Sequence, residues 1–216
     1  EKVRSVRIAC PSIDEQQTIA RFLDYKTAQI DTLIAKKQAL LEKLAEKRSA
    51  LISHAVTKGL DPSVPMKDSG VSWLGKIPAH WKMTRLKYAT SLIVDCPHNT
   101  PQYSDEGDYL VVRTADLFQG KLDLARAYRV EESEYRHRVK RAVVKENDIV
   151  YGREGERWGF AAIVPARPVV CLGQRMMQFR AANHFHPRFL MWHLNADCVY
   201  QQGALDTAGS TAPHVN

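Results

Sequence analysis

Apolar residues recur every seven positions through the first quarter of the chain, then give way to short apolar runs broken by turn residues. Leu23, Ile30, Leu44 and Leu51 share one heptad position, which Lys37 interrupts. Leu33 and Leu40 hold a second position, Ile34 and Leu41 a third, with lysines, arginines and glutamates opposite. Such a broad stripe is the signature of a helix that packs on another helix. Ser12 with Glu15 three residues on has the spacing of a capping box. Neither proline nor glycine occurs from there until Gly59, which supplies a stop. The pattern predicts a helix over residues 12–58; its uninterrupted stretch from Asp14 to Thr57, about 44 residues at ~1.5 Å each, makes a rod of roughly 65 Å. No local loop can bury a stripe of that length, so a partner helix is expected.

Residues 3–10, in VRSVRIAC, alternate apolar and basic side chains and read as a short strand, giving a first segment over residues 1–11. GLDPSVPMKDSG reads as a linker over residues 59–70, rich in proline, glycine and polar residues. A second region follows over residues 71–216. There YLVVRTADL, AVVKENDIVYG, FAAIVPA and VVCLGQRMMQFR alternate with turn signals, including Asn147-Asp148 between two β-prone runs. EESEYRHR and HPRFLMWHLNADCVYQQG read as two helices among these strands. The fold class is therefore α+β: a long coiled-coil-like helix, then a mixed domain dominated by strand pairing.

Composition changes this picture little. At 216 residues the chain has room for one ordinary domain and an extended element. Its net charge of +7 is spread over both regions and suits a polyanionic partner. No apolar run reaches membrane-spanning length and no charged-then-apolar leader opens the chain, so the expected location is cytoplasmic, with no membrane partner. Cys10, Cys96, Cys171 and Cys198 are far apart and form no C-x-x-C pair, which predicts reduced thiols and neither a zinc knuckle nor a redox motif. The chain opens on Glu1 rather than methionine, which suggests a fragment.

Four segments carry a resemblance. PSIDEQQTIARFLD with IDTLIAKKQALLEKLAEKRSALISHAVTKGL, GVSWLGKIPAHWKMTRLK, YGREGERWGFAAIV with LGQRMMQFR, and the closing GSTAPHVN are similar to type I restriction-modification specificity subunits. The resemblance covers nearly the whole chain in scattered blocks, of which the first two are the most specific. It implies a spacer helix followed by a target-recognition domain that reads one half of a split double-stranded DNA sequence. It also implies docking to modification subunits and, through them, to restriction subunits, with no catalytic residues and no cofactor in the chain itself. Such subunits carry two recognition domains joined by two antiparallel helices. Here there is one of each, and the PSIDEQQ block precedes its domain instead of following a closing GSTxxH-like motif. Two origins fit: a piece cut from a two-unit subunit, or a naturally short version that pairs with itself.

Within the domain, base readout needs donors and acceptors on loops. DCPHNTPQYSDEG offers His98, Asn99, Thr100 and Tyr103, suited either to DNA contact or to a structural turn. GREGERWG sets Arg153 and Arg157 beside glycines that permit close backbone approach, and arginine is the usual reader of guanine. Arg153 has an alternative role, pairing with Glu154 or Glu156. The loop lacks the spacing of a phosphate-binding GxxxxGK[ST]. RHRVKRAVVK carries Arg136, Arg138, Lys140, Arg141 and Lys145, and reads either as a phosphate-positioning strip or as a solvated face balanced by the preceding glutamates. Arg113 completes the set of DNA-binding candidates. His184, His186 and Asp197 are imaginable metal ligands, but H-F-H-P before a helix reads better as a turn, and no metal is expected.

Two other function classes are weaker. A methyltransferase would need a cofactor site and a D/N-P-P-Y/F motif, and a metal-dependent nuclease a carboxylate cluster with a lysine; neither is present in the sequence. A purely structural coiled-coil adaptor leaves the polar loops and the basic strip unexplained. The helix adds a geometric expectation. If two copies pair antiparallel, the stripe of Leu23, Ile30, Leu33, Ile34, Leu40, Leu41, Leu44 and Leu51 is buried. The strand of one copy then arrives at the other's domain, beside its GSTAPHVN end. A homodimer results, with recognition domains at the two ends of a two-helix rod.

Overall fold

The computed structural model describes residues 5–206, and the chain divides into two compact units after Arg48. The first unit is dominated by α1 (Ile13–Lys58), an uninterrupted helix of 46 residues that continues into the second unit. Its start follows the capping logic of the sequence: the Glu15 amide donates to Ser12 Oγ at 3.4 Å. Asp14 and Glu15 in its first turn and Lys58 in its last complement the helix dipole. The eight stripe residues are all exposed, at 51–67% of their surface. The strand expected over residues 3–10 is absent from its described part. Residues 5–10 are exposed and lack strand structure, because a lone strand has nothing to receive its backbone hydrogen bonds. Residues 3 and 4, and the GSTAPHVN segment, lie outside the described residues.

In the second unit α1 ends where glycine permits it, at Gly59 with φ +81°. Val56 and Thr57 in its last turn are buried. The Lys58 ammonium donates to the carbonyls of Leu74 and Lys76, and Ser49 donates to Asp197 at 2.6 Å. Ser53 Oγ accepts the Asp197 amide at 3.0 Å, so the helix itself caps α5 (Asp197–Asp206). The linker is more ordered than its composition suggests. Its β1 (Met66–Asp68) pairs antiparallel with β2 (Lys76–Pro78), across the expected domain boundary.

The core is four layers deep. A four-stranded antiparallel sheet has the order β3 (Thr90–Asp95), β11 (Met176–Ala181), β8 (Ile149–Gly152), β9 (Ala161–Ile163). A three-stranded sheet has the order β10 (Val170–Leu172), β4 (Tyr109–Val112), β7 (Tyr128–Val130), with β10 and β4 parallel. Alternation sends Val150 and Met176 toward Leu110, Val112, Val170 and Leu172 between the sheets. Ile149, Tyr151 and Phe179 point the other way, onto Leu190, Met191 and Leu194 of α4 (Pro187–Leu194). On the outer face of the smaller sheet, Tyr135 and Val139 at α3 (Glu132–Arg138) pack on Val111, Val130 and Cys171. The short α2 (Leu86–Ala89) leads into β3, and β5 (Leu117–Phe118) and β6 (Lys121–Leu122) form a separate hairpin.

Two local expectations need correction. HPRFLMWHLNADCVYQQG forms two helices, not one, because Asn195 breaks it: its side-chain amide bonds the Ala161 N–H and C=O at 3.0 and 2.9 Å. Residues 142–145 form no strand; the Lys145 N–H is taken by the Asp148 carboxylate at 2.8 Å. The Asn147-Asp148 turn is present, with Asn147 at φ +65° and the Asp148 amide bonded to the Lys145 carbonyl. The hairpin of β5 and β6, and the strand β3, had no clear sequence signal.

Candidate nucleic-acid interface

The polar loop, the glycine-arginine loop and the basic strip meet around Asp95, at the end of β3. Asp95 Oδ2 accepts from Arg153 at 2.8 Å and lies 2.7 Å from His98 Nε2. Arg153 also sits 3.6 Å from Glu154, which in turn lies 3.7 Å from Arg175. The Arg153 amide bonds the Arg175 carbonyl, and Arg175 occupies a left-handed conformation at φ +71°. From the basic strip, Arg141 donates to the Asp95 carbonyl at 3.4 Å. Gln174 donates to Thr100 Oγ1 at 3.3 Å. The cluster thus alternates positive and negative groups, with His98, Asn99, Thr100, Arg141 and Arg175 exposed and Arg153 recessed to 11%.

Several arginines of the candidate set are engaged within the domain itself. Arg138 has a fully buried side chain, paired with Glu134 at 2.7 Å. It donates to the carbonyls of Pro97, Leu172 and Asn99. Its charge is spent stapling the polar loop to the sheet, and burial of this kind excludes a phosphate. Arg113 makes a two-pronged pair with Asp116 at 2.8 and 2.9 Å and lies 3.7 Å over the Tyr128 ring. The Asp116 carboxylate raises its pKa above the ordinary arginine value. Tyr103 meets the same Tyr128 ring edge-on at 4.8 Å. Arg157 donates to the Leu117 carbonyl and stacks 4.1 Å over Phe118. Arg136, Lys140, Arg141 and Lys145 remain exposed, Arg136 beside Glu132 at 2.7 Å.

The glycines of GREGERWG serve the loop itself. A Cβ at Gly152 would collide with the Arg157 carbonyl, and Gly155 and Gly159 have φ of +82° and +84°. The close approach that Gly152 permits is therefore of the loop to its own backbone, and Gly159 admits the Tyr200 ring. Sequence reasoning named Glu154 as a rival partner for Arg153, which it is at 3.6 Å, but passed over Asp95, Arg175 and Tyr128. Asp95 heads the polar loop and stands at a strand end, but its partner Arg153 is 58 residues away. Among the described residues no three His, Cys, Asp or Glu side chains gather as a metal site, and no helix is long and apolar enough to cross a membrane.

No family model and no curated protein matches the chain. Solved structures do. One is a chain from work on complex assembly and conformational transition of the type I R-M system, with 16% identity and a TM-score of 0.52, covering 95% of this chain and 45% of that one. Another is the HsdS subunit from Thermoanaerobacter tengcongensis, with 16% identity and a TM-score of 0.47, covering 93% of this chain and 44% of that one. The chain spans less than half the length of either. Over nearly its whole length it carries the fold of part of a type I R-M system chain, a long helix joined to a strand-rich domain.

Proposed function

We propose that this protein is a non-catalytic DNA-recognition module of a type I restriction-modification system. The observation that carries the reading is the union, in that fold, of a long helix with an exposed apolar stripe and a domain that gathers polar loops and basic residues around Asp95. The domain reads one half of a bipartite site in double-stranded DNA. Exposed Arg136, Lys140, Arg141 and Lys145 hold phosphates and set register, while His98, Asn99, Thr100 and Arg153 face base edges. Asp95 and Glu154 hold the Arg153 guanidinium in one orientation, which suits bidentate recognition of guanine. Arg113, Arg138 and Arg157, with Tyr103, shape the loops behind that surface. The helix pairs antiparallel with a second copy, spaces the two domains, and docks modification subunits and through them restriction subunits in the cytoplasm.

Fluorescence anisotropy on duplex DNA across a salt series tests the reading. Affinity is expected to fall steeply with salt as bound counterions are released. Lys140→Ala should weaken all sequences alike and reduce the salt slope by about one. Arg153→Ala should flatten sequence preference instead. Equal effects from both changes would refute the division of roles, and salt-independent or absent binding would refute the DNA reading.

A further inference from the structure

The apolar stripe of α1 is symmetric about Lys37. Leu23, Ile30, Leu33 and Ile34 on one side are matched at equal distance on the other by Leu51, Leu44, Leu41 and Leu40. The symmetry continues outward, with Phe22 matched to Ile52 and Ile19 to Ala55. At ~100° per residue all these positions fall within an arc of about 120°. An antiparallel pair with its two-fold axis at Lys37 would set apolar against apolar at every one of these heights. At the far end of the stripe, Leu51, Ile52, Ala55, Leu60, Trp81 and Phe189 line an apolar cleft of about 710 Å³. The cleft begins where the stripe ends, and Leu51 and Leu60 on its rim are exposed.

We infer that this cleft is the seat for the first turns of α1 from a second copy, with Ile19, Phe22 and Leu23 entering it and the two-fold axis passing through Lys37. The inference rests on the antiparallel self-pairing proposed above and fixes its register. Ile13, Ile19, Phe22 and Leu23 are all exposed in the single chain, at the heights the register brings to the cleft. About twelve residues a side burying ~60 Å² each give roughly 700 Å² per partner, close to a standard specific interface. Three cations also lie on the face. Lys37 meets its own copy at the axis and Lys26 meets Arg48, so their long stems carry the heads to the rim. That repulsion weakens the pair without changing its register, and Lys37→Leu should tighten it about tenfold or more.

Sedimentation and disulfide trapping test this, in full-length chain with Cys10→Ser and Cys198→Ser to remove the accessible thiols. Lys37→Cys is expected to link two copies on oxidation. Ile30→Cys alone is not, because the two sites would lie ~21 Å apart along the rod. Chain carrying Ile19→Cys, mixed with chain carrying Ala55→Cys, is expected to form the mixed disulfide, and Phe22→Ala to weaken the dimer at least tenfold. A dimer that links through Ile30, or fails to link through Lys37 and through Ile19 with Ala55, overturns the register and the seat while self-pairing stands. A chain monomeric at all concentrations overturns both.

Discussion

Replacing Asp148 by alanine is expected to remove about 2 to 4 kcal/mol of the second unit's stability, because its buried carboxylate gathers several donors at once. Its carboxylate is 1% exposed and takes bonds from Arg180 at 2.7 and 2.8 Å, from Gln178 at 2.7 Å and from the Lys145 amide at 2.8 Å. The Asp148 bonds also raise the Arg180 pKa above the arginine value. Without the carboxylate, the Lys145 N–H loses its acceptor, the buried Gln178 amide keeps only the Val143 carbonyl, and the guanidinium loses its counter-charge. Since domains are stable by only ~5 to 15 kcal/mol, the loss is a large share of the total. Urea unfolding reads it directly. The double change Asp148→Ala with Arg180→Met should cost less than the sum of the singles, because it leaves no orphaned charge. A single-mutant loss under ~1 kcal/mol would mean that water reaches the site and that the pair is not structural.

Leu44→Asp is expected to weaken self-association about a thousandfold while leaving the helix and the domain folded. Leu44 is exposed in the single chain, so the change costs the isolated protein little. In an antiparallel pair it buries a carboxylate against Ile30 of the partner copy, and two-fold symmetry repeats the lesion. Each site loses about 2 kcal/mol of apolar burial, and ~4 kcal/mol in all is about three decades of affinity. Sedimentation equilibrium measures the shift and circular dichroism controls for folding. An unchanged dimer would show that the stripe is not the interface. Lost helicity in the monomer would show instead that Leu44 supports the chain's own fold.

The sequence showed the helix almost to the residue, because Ser12 and Gly59 act through local backbone chemistry that needs no distant partner. The strands β8, β9, β10 and β11 were legible for the same reason: their alternation and their bounding turns are local. The break at Asn195 was not legible, since the residue ends a helix only by spending its amide on β9, 34 positions earlier. The candidate site followed the same division. The composition of its loops and basic strip was plain from the sequence, as was the rival role of Arg153 as the partner of a carboxylate. Which arginines face solvent was not, because Arg138 is buried by contacts with Pro97, Asn99 and Leu172, residues far from it in the chain. The alternation that suggested a strand near the N-terminus was real as a pattern, but a pattern forms a strand only where an edge receives it.

The most direct test is selection of bound duplexes from a randomised pool by the purified full chain, read by sequencing. A paired recognition module predicts enrichment of one short motif in two inverted copies, separated by a spacer of fixed length. Leu44→Asp should reduce the enriched pattern to a single copy. Recovery of sequences no different from the input pool would contradict the account at its centre.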